Sequence, residues 1–268
     1  LVPLASIAAM RIRNLALTEE AAERKRLEEE VALARRIQVA LLPDQLPDVQ
    51  GYDIHAGNIP SRGVSGDYYE VVPRADGNEC VVLVADVSGK GIGAALLTAS
   101  VEALSVAPIE DGLPVDEVCN RVSRLLFERT PPEKYATAFV ASLERESGRM
   151  SYCNAGHCPG LVLRENGDIE WLGSTGPPIG LLPGSTYKLG ETTLGAGDVV
   201  AIYTDGITEA NDPEEEEYGR ERLATVCGAN HKATLSELAA RIEEDLDAFV
   251  RGEPFADDRT LVMLRRLR

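Results

Sequence analysis

The chain has 268 residues, 44% of them hydrophobic, and its 44 acidic against 27 basic residues give a formal net charge of −17. This length is sufficient for one large domain with an appendage. The charge argues against nucleic acid and against an anionic membrane surface as partners, because both would be repelled. With no signal peptide and no apolar run of transmembrane length, we expect a cytoplasmic protein. Because the first residue is Leu1 rather than Met, we expect part of a longer protein.

Residues 1–42 are predicted to form one helix. A short heptad pattern in its C-terminal half places these residues on one stripe: Leu27, Val31, Ala34, Gln38 and Leu41. Such a stripe is typical either of a parallel contact between two subunits, which would make a homodimer, or of a single amphipathic helix lying on its own domain. The residues leave both alternatives open. Pro43 and Pro47 are expected to end the helix.

Beyond Pro47, strand signals and helix signals alternate. Strands are predicted over Tyr52–Asn58, Tyr68–Val72, Cys80–Asp86, Tyr135–Leu143, Arg149–Asn154, Leu161–Arg164, Ile169–Leu172, Thr186–Leu189, Val199–Tyr203 and Thr260–Arg266. Helices are predicted over Gly93–Ala107, Pro114–Arg129, Gly219–Val226 and Leu235–Val250. Many antiparallel strands with helices in pairs favour a layered α/β sandwich.

Cysteine and histidine usage argues against a zinc site. The three histidines, His55, His157 and His231, are scattered and lack ligand spacing. No Cys-x-x-Cys pair occurs, and the cysteines lie within apolar segments. We therefore expect buried free thiols, which suits a reducing cytoplasm. The cysteines are Cys80, Cys119, Cys153, Cys158 and Cys227.

Four acidic sites occur at the ends of short apolar runs. They are Asp67, Asp86, Asp205 and the pair Asp257-Asp258. Any one of them could be an ordinary turn residue after a strand. The four together, with almost no histidine available, indicate an all-oxygen site for a hard divalent cation.

Several neighbouring residues have two open interpretations. Gly89 and Gly91 would let the backbone approach a metal closely, or simply form a flexible loop before a helix. Lys90 between them could steer a phosphate group or be solvated. His157 could be a general acid or a structural side chain in a turn. The acidic sites favour attack by an activated water over covalent catalysis through a phosphocysteine.

A series of motifs in fixed order resembles one family. They are Ala34-Arg35-Arg36-Ile37-Gln38 with Leu41-Leu42-Pro43, Val64-Ser65-Gly66-Asp67-Tyr68-Tyr69, Asp86-Val87-Ser88-Gly89-Lys90-Gly91, Ala136-Thr137-Ala138, Asn154-Ala155-Gly156-His157-Cys158-Pro159, Gly176-Pro177-Pro178-Ile179-Gly180-Leu181, Tyr203-Thr204-Asp205-Gly206-Ile207-Thr208-Glu209-Ala210 and Asp257-Asp258-Arg259-Thr260. From about Ala34 to the C-terminus, the sequence resembles the SpoIIE/RsbU-type branch of the metal-dependent serine/threonine protein phosphatases, the PPM superfamily. Ser65 stands where this branch usually has Gly, and Glu70 stands where it often has Asp. Neither difference removes a metal ligand of the family.

The resemblance implies an architecture. The family fold is an α/β layered sandwich of two central antiparallel β-sheets flanked by pairs of α-helices. Residues 44–268 would form this phosphatase domain, and residues 1–43 an N-terminal linker helix at the end of an upstream sensor region. The segment Leu4–Leu17 resembles the terminal helix of a GAF-type sensor.

The resemblance also implies a site for two divalent ions, Mn²⁺ or Mg²⁺. Asp86 would bridge the two ions and the main-chain carbonyl of Val87 would add an oxygen. Asp205 and one member of the final pair would complete the second ion's shell. Of that pair, Asp257 matches the family position more simply, and Asp258 may instead cap or orient it. Asp86 and Asp205 would thus act in catalysis through a metal-activated water.

Asp67 would hold waters on the first ion. The implied activity is hydrolysis of phosphoserine or phosphothreonine in a protein. In this branch the usual substrate is a phosphorylated STAS-domain anti-anti-sigma factor. The alternative is a catalytically weak regulatory module that binds a partner through a phosphatase-like fold. A metal nuclease or phosphodiesterase fits the metal chemistry but not the acidic charge, and the sequence lacks a basic stripe.

Overall fold

Two stacked antiparallel sheets form the centre of the molecule in this computed structural model. The structure describes residues 2–43, 45–61, 64–75 and 77–267, without the side chains of residues 2–9, 12, 16, 28 and 39. The strands of these ranges are β1 (Tyr52–Ile59), β2 (Asp67–Pro73), β3 (Glu79–Val87), β4 (Ala136–Glu144), β5 (Arg149–Ala155), β6 (Gly160–Leu163), β7 (Ile169–Leu172), β8 (Gly190–Thr193), β9 (Val199–Tyr203) and β10 (Arg259–Arg266). The first sheet has the order β1-β10-β9-β6-β7 and the second β2-β3-β4-β5-β8.

Two pairs of helices cover the outer faces of the sheets. The helices of the described ranges are α1 (Val2–Val39), α2 (Ile92–Glu110), α3 (Val115–Arg129), α4 (Asp205–Thr208), α5 (Arg220–Ala229) and α6 (Leu235–Val250). The pair α2 and α3 packs on the second sheet, and the pair α5 and α6 packs on the first. The predicted sandwich of two central sheets flanked by helix pairs, with an N-terminal helix, is therefore confirmed.

Strand β3 shows why the sequence folds into layers. Successive side chains of a strand point to opposite faces of the sheet. Leu83 and Ala85 accordingly pack against the helices α2 and α3, while Val82 and Val84 pack against the opposite sheet. All four are buried. The continuous apolar run in this segment follows from burial on both faces.

Helix α2 corrects one expectation from the sequence. Within the described ranges, it is the one helix that is long and apolar enough, by length and composition, to cross a membrane. Its side chains Leu97, Val101 and Ile109 are buried in the core shared with α3 and the second sheet. These contacts account for its apolar composition.

Two predicted boundaries were wrong. The strand expected at Thr186–Leu189 is absent from the described residues there, and β8 begins at Gly190 instead. Gly190 pairs with Tyr152 of β5, and a Cβ at this position would lie 2.3 Å from the tyrosine ring. The apolar pattern did not reveal this pairing because its key residue is a glycine.

The N-terminal helix is also shorter than predicted. It ends at Val39, so Leu41 lies beyond it. Gln38 is buried against the molecule's own domain, whereas Leu27 is 57% exposed. The C-terminal end of the stripe thus lies on its own domain, as one alternative proposed. The side chains of Leu4 to Ala9, on which part of the GAF resemblance rests, lie outside the described residues.

We predict that Ile242→Ala lowers the free energy of unfolding by ~2–5 kcal/mol. Ile242 is fully buried where α6 packs on the first sheet, and the truncation leaves a cavity. Urea denaturation measures the change. As a control, Leu182→Ala removes the same number of carbons from a side chain that is 52% exposed and should change stability by less than ~0.5 kcal/mol. Equal losses in both variants would contradict the described packing.

Candidate active site

The fold brings all the predicted acidic residues to one edge of the two sheets. Asp67 begins β2 and is the register partner of Asp86 near the end of β3. In the other sheet, Asp205 follows β9, and the pair Asp257-Asp258 precedes β10, the antiparallel neighbour of β9. Each sheet therefore contributes the ends of two adjacent strands to one cluster of carboxylates.

Asp67 joins the two sheets. Its Oδ2 accepts hydrogen bonds from the hydroxyls of Thr204 (2.7 Å) and Thr260 (2.6 Å), both of which belong to the first sheet's edge. The main-chain N–H of Thr260 also donates to the Thr204 hydroxyl, at 2.9 Å. Burial, and then the charge of Asp86, raise the pKa of Asp67 well above its usual range. The carboxyl group is therefore held in one position by partners from the opposite sheet.

Asp86 lies where negative charge is most crowded. Burial, and then the charges of Asp205 and Asp257, raise the pKa of Asp86 to about 7. Its Oδ1 and the carbonyl oxygen of Val87 each lie 3.4 Å from the point where a Cβ on Gly66 would sit. Two oxygens thus face the same point beside the backbone of Gly66.

Asp258 is engaged by the main chain of the β1–β2 loop. Its Oδ1 accepts from the N–H of Ser61 and its Oδ2 from the N–H of Gly66, both at 2.7 Å. The side chain is buried. A Cβ on Gly206 would lie 2.0 Å from the carbonyl oxygen of Asp258, so the backbone of α4 contacts the backbone of the loop before β10. Both carboxylate oxygens of Asp258 are therefore occupied in holding loops together.

Asp257 has a more open position. Its side chain is 44% exposed, and its Oδ2 lies 2.9 Å from Nζ of Lys90. The same Nζ donates to the carbonyl oxygen of Ala256 at 2.8 Å. Lys90 is thus neither simply solvated nor free to steer a phosphate in this arrangement. Burial, and then the charge of Asp257, raise the pKa of Asp205, and the positive charge of Lys90 partly opposes this rise.

The donor set suits a hard cation. Carboxylate and main-chain carbonyl oxygens meet at this edge, and burial, followed by the charges of neighbouring carboxylates, raises the pKa values of Asp67, Asp86 and Asp205. Among the described residues, however, no group of three His, Cys, Asp or Glu side chains is already arranged to hold a metal ion. Mg²⁺ and Mn²⁺ also take carbonyl oxygens and waters, so the residues fit such an ion although the carboxylates alone form no closed shell.

A pocket of about 280 Å³ opens beside this cluster. Its lining consists of Asp86, Thr137, Gly156, His157, Cys158, Asp205 and Glu209. Nδ1 of His157 lies 2.8 Å from the Thr137 hydroxyl, and its main-chain N–H donates to Asn154. Burial lowers the pKa of His157 to about 4, so the ring is neutral near pH 7. This favours the structural interpretation of His157 over that of a protonated general acid.

Glu209 and Cys158 are among the lining residues that were not predicted as site residues. Glu209, at the C-terminal end of α4, follows Asp205 by four residues, or about one helical turn, which places the two side chains near each other; that spacing could have identified it. Burial, and then Asp205, raise the pKa of Glu209. Cys158 was expected to be buried, but it is half-buried and lines the pocket.

The end of α1 contacts the site through Gln38. Its Nε2 donates to the carbonyl oxygen of Ser65, and its Oε1 accepts from the N–H of the same residue at 2.7 Å. Ser65 directly precedes Gly66 and Asp67. The N-terminal helix therefore holds the backbone of the loop that carries the first aspartate.

Comparison with known proteins assigns the class. The family "Stage II sporulation protein E (SpoIIE)" matches residues 76–267. The RsbU and RsbW domains of Rv1364c from Mycobacterium tuberculosis superpose with a TM-score of 0.73 at 26% identity, over 85% of this chain and 63% of that one. The SiaA-PP2C domain of Pseudomonas aeruginosa gives a TM-score of 0.79 at 21% identity, over 91% of this chain and 99% of that one. The fold is PP2C-like.

The chain belongs to the SpoIIE family. It is 30% identical over 264 residues to protein IcfG of Synechocystis sp., covering 88% of this chain but 41% of IcfG. It is 27% identical to phosphoserine phosphatase RsbU of Bacillus subtilis, covering 90% of this chain and 71% of RsbU. The chain thus spans less than half the length of IcfG.

We predict that the metal-free chain becomes less stable, relative to Asp86→Asn, as the pH rises from 3.8 to about 7. The raised pKa of Asp86 means that the folded state retains a proton in this window that the unfolded state has released. The stabilisation from that proton is lost as the pH passes the folded pKa. Thermal melting of both proteins in EDTA across the window measures the difference. Parallel curves for the two proteins would contradict it.

Proposed function

We propose that this chain hydrolyses phosphoserine or phosphothreonine in a protein, using two divalent cations, Mn²⁺ or Mg²⁺. The observation that carries the proposal is the meeting of Asp67 and Asp86 from one sheet with Asp205 and Asp257 from the other at one edge of the two sheets, where Asp86 and Asp205 line a pocket. Crowded carboxylates without a basic partner for each one are what a site for hard cations requires. Relatives named phosphoserine phosphatases support the reaction class.

We assign the cation ligands from the resemblance and the geometry together. Asp86 would bridge the ions, the carbonyl oxygen of Val87 lies beside it, and Asp205 and Asp257 would complete the set. Of the final pair we choose Asp257, because both oxygens of Asp258 accept main-chain N–H groups. Such ions, when bound, neutralise phosphoryl oxygens and lower the pKa of a water.

The remaining residues orient the ligands. Asp258 ties the β1–β2 loop to the loop before β10, which fixes Asp257 and Gly66 relative to each other. Asp67, whose carboxylate accepts hydrogen bonds from two threonine hydroxyls, would hold waters around an ion. The neutral ring of His157 forms part of the pocket wall beside Thr137.

The substrate class rests on the family resemblance. In partner-switching systems of this branch, a phosphorylated STAS-domain protein is the usual substrate, and its dephosphorylation releases a sigma factor from control. Names of relatives such as RsbU and RsbP support a role in this kind of signalling. We therefore propose a phosphorylated STAS-domain protein as partner and the cytoplasm as the location.

Residues 1–43 are proposed to link the catalytic domain, residues 44–268, to an upstream sensor, of GAF type by resemblance. Leu27 of the predicted stripe is exposed, and so are Leu33 and Ile37, which lie off that stripe. Exposed leucine and isoleucine on a long helix favour pairing with a second copy. The homodimer would thus form through α1, whose C-terminal end contacts the site through Gln38.

We predict that the chain hydrolyses p-nitrophenyl phosphate with added Mn²⁺ and that EDTA abolishes the activity. Asp86→Asn should reduce turnover by at least ~100-fold, since removing a direct ligand should cost no less than removing a residue that orients one. Asp53→Asn, an exposed acidic residue on β1, is the matched control and should retain activity. The measurement is phosphate release, repeated with a phosphorylated STAS-domain protein.

Three outcomes would contradict this assignment. Full activity in EDTA would exclude the metal mechanism, and rescue by Zn²⁺ alone would require other ligands. A wild-type chain that is folded and binds Mn²⁺ but releases no phosphate from any phosphoprotein would favour the alternative, a regulatory module with a phosphatase-like fold.

We predict that Leu27→Glu dissociates the dimer. Two copies would place like charges opposite each other at an apolar seam, so sedimentation should show a monomer. Ala32→Glu, which adds the same charge at an exposed position off the stripe, should leave the dimer intact. A wild-type chain that sediments as a monomer would contradict the proposed homodimer. If both variants are monomers, a general effect of charge would explain the dissociation.

A further inference from the structure

One ammonium group connects the two loops that carry the cluster. Lys90 lies in the loop between β3 and α2, while Asp257 lies in the loop before β10. Nζ of Lys90 is 2.9 Å from Oδ2 of Asp257 and donates to the carbonyl oxygen of Ala256 at 2.8 Å. A hard cation also takes carboxylate and main-chain carbonyl oxygens as its ligands. The ammonium is thus held as a small cation would be.

The position of Lys90 makes it a competitor for these oxygens. Asp257 would otherwise be available, because its other oxygen accepts only the N–H of Asp258, at 2.9 Å. The lysine is therefore the compensating charge for Asp257.

We propose that Lys90 is an internal counter-ion of the cation site, which holds Asp257 in the metal-free chain and releases it when a divalent cation binds. This inference rests on the proposed function, because it takes Asp257 as a ligand. The Lys90 side chain is 45% exposed, so release moves it into water without disturbing the core.

The loop around Lys90 links this exchange to a helix. Gly89 and Gly91 have φ angles of +94° and +77°, in the left-handed region, and α2 begins at Ile92. The ammonium thus ties the start of α2 to the loop before β10. When Lys90 releases Asp257, this contact between the two loops is lost. Cation binding consequently changes the restraint on the loop that precedes α2.

The test compares Lys90→Met with Lys134→Met. Nζ of Lys134 lies 2.9 Å from the point where a Cβ on Gly89 would sit, so it neighbours the same loop, and no ion pair is found for it within the described ranges. Both variants remove one positive charge from this region. Titration calorimetry of the full chain with Mn²⁺ measures affinity directly, and thermal melting in EDTA measures the stability of the metal-free state.

We expect Lys90→Met to bind Mn²⁺ about fivefold more tightly than wild type, equivalent to ~1 kcal/mol, the upper range for a partly exposed ion pair. Its melting temperature in EDTA should fall, and this deficit should disappear at saturating Mn²⁺. Lys134→Met should change the affinity by less than about twofold and leave the melting temperature in EDTA unchanged.

Equal tightening in both variants would overturn the proposal, since general charge would then explain the effect. Unchanged or weaker binding in Lys90→Met would also overturn it, because the lysine would be a spectator or an aid to the cation. If wild type takes up no Mn²⁺, the proposed function fails together with this inference. If wild type binds Mn²⁺ and Lys90→Met behaves identically, the counter-ion role alone fails.

Discussion

A buried carboxyl group at the junction of two sheets is the constraint on which the rest of the structure depends. Burying Asp67 without partners would be strongly unfavourable. The hydroxyls of Thr204 and Thr260, from the opposite sheet, supply those partners at 2.7 and 2.6 Å. Because hydrogen bonds of this length tolerate little displacement, the two sheets have one relative position at this edge. That position places Asp86 within reach of the charge of Asp205.

The pattern of apolar and polar residues along the chain predicted the layers of the α/β sandwich well. The continuous apolar run of β3, the paired helical segments and the acidic residues at strand ends are all properties of neighbouring residues, so the sandwich and the edge of the site followed from the chain itself. The choice between Asp257 and Asp258 could not follow in this way. It depends on a hydrogen bond from Gly66 to Asp258, across 192 positions of the sequence. Two adjacent aspartates are indistinguishable until the loop that contacts one of them is placed.

The other errors have the same origin in tertiary contacts. Strand β8 begins at a glycine that accommodates the ring of Tyr152, so its position is set by a partner strand rather than by β-propensity. For Lys90 the sequence left two interpretations open, and only the proximity of the loop before β10 gives it an acidic partner. Glu209 differs, because its spacing from Asp205 was visible. Its relevance emerged only with the pocket that both residues line.

Gly66 is where the separate parts of the molecule meet. Its N–H donates to Asp258, and its carbonyl oxygen accepts from the N–H of Val87 and from the hydroxyl of Thr98 on α2. The preceding residue, Ser65, is held on both sides of its backbone by Gln38 at the end of α1. One short segment thus touches α1, α2 and the loops of both sheets. Asp86 Oδ1 and the Val87 carbonyl oxygen face the space that the missing side chain of Gly66 leaves. A displacement of α1 would therefore reach the proposed cation site through two residues of backbone, without any rearrangement of the core.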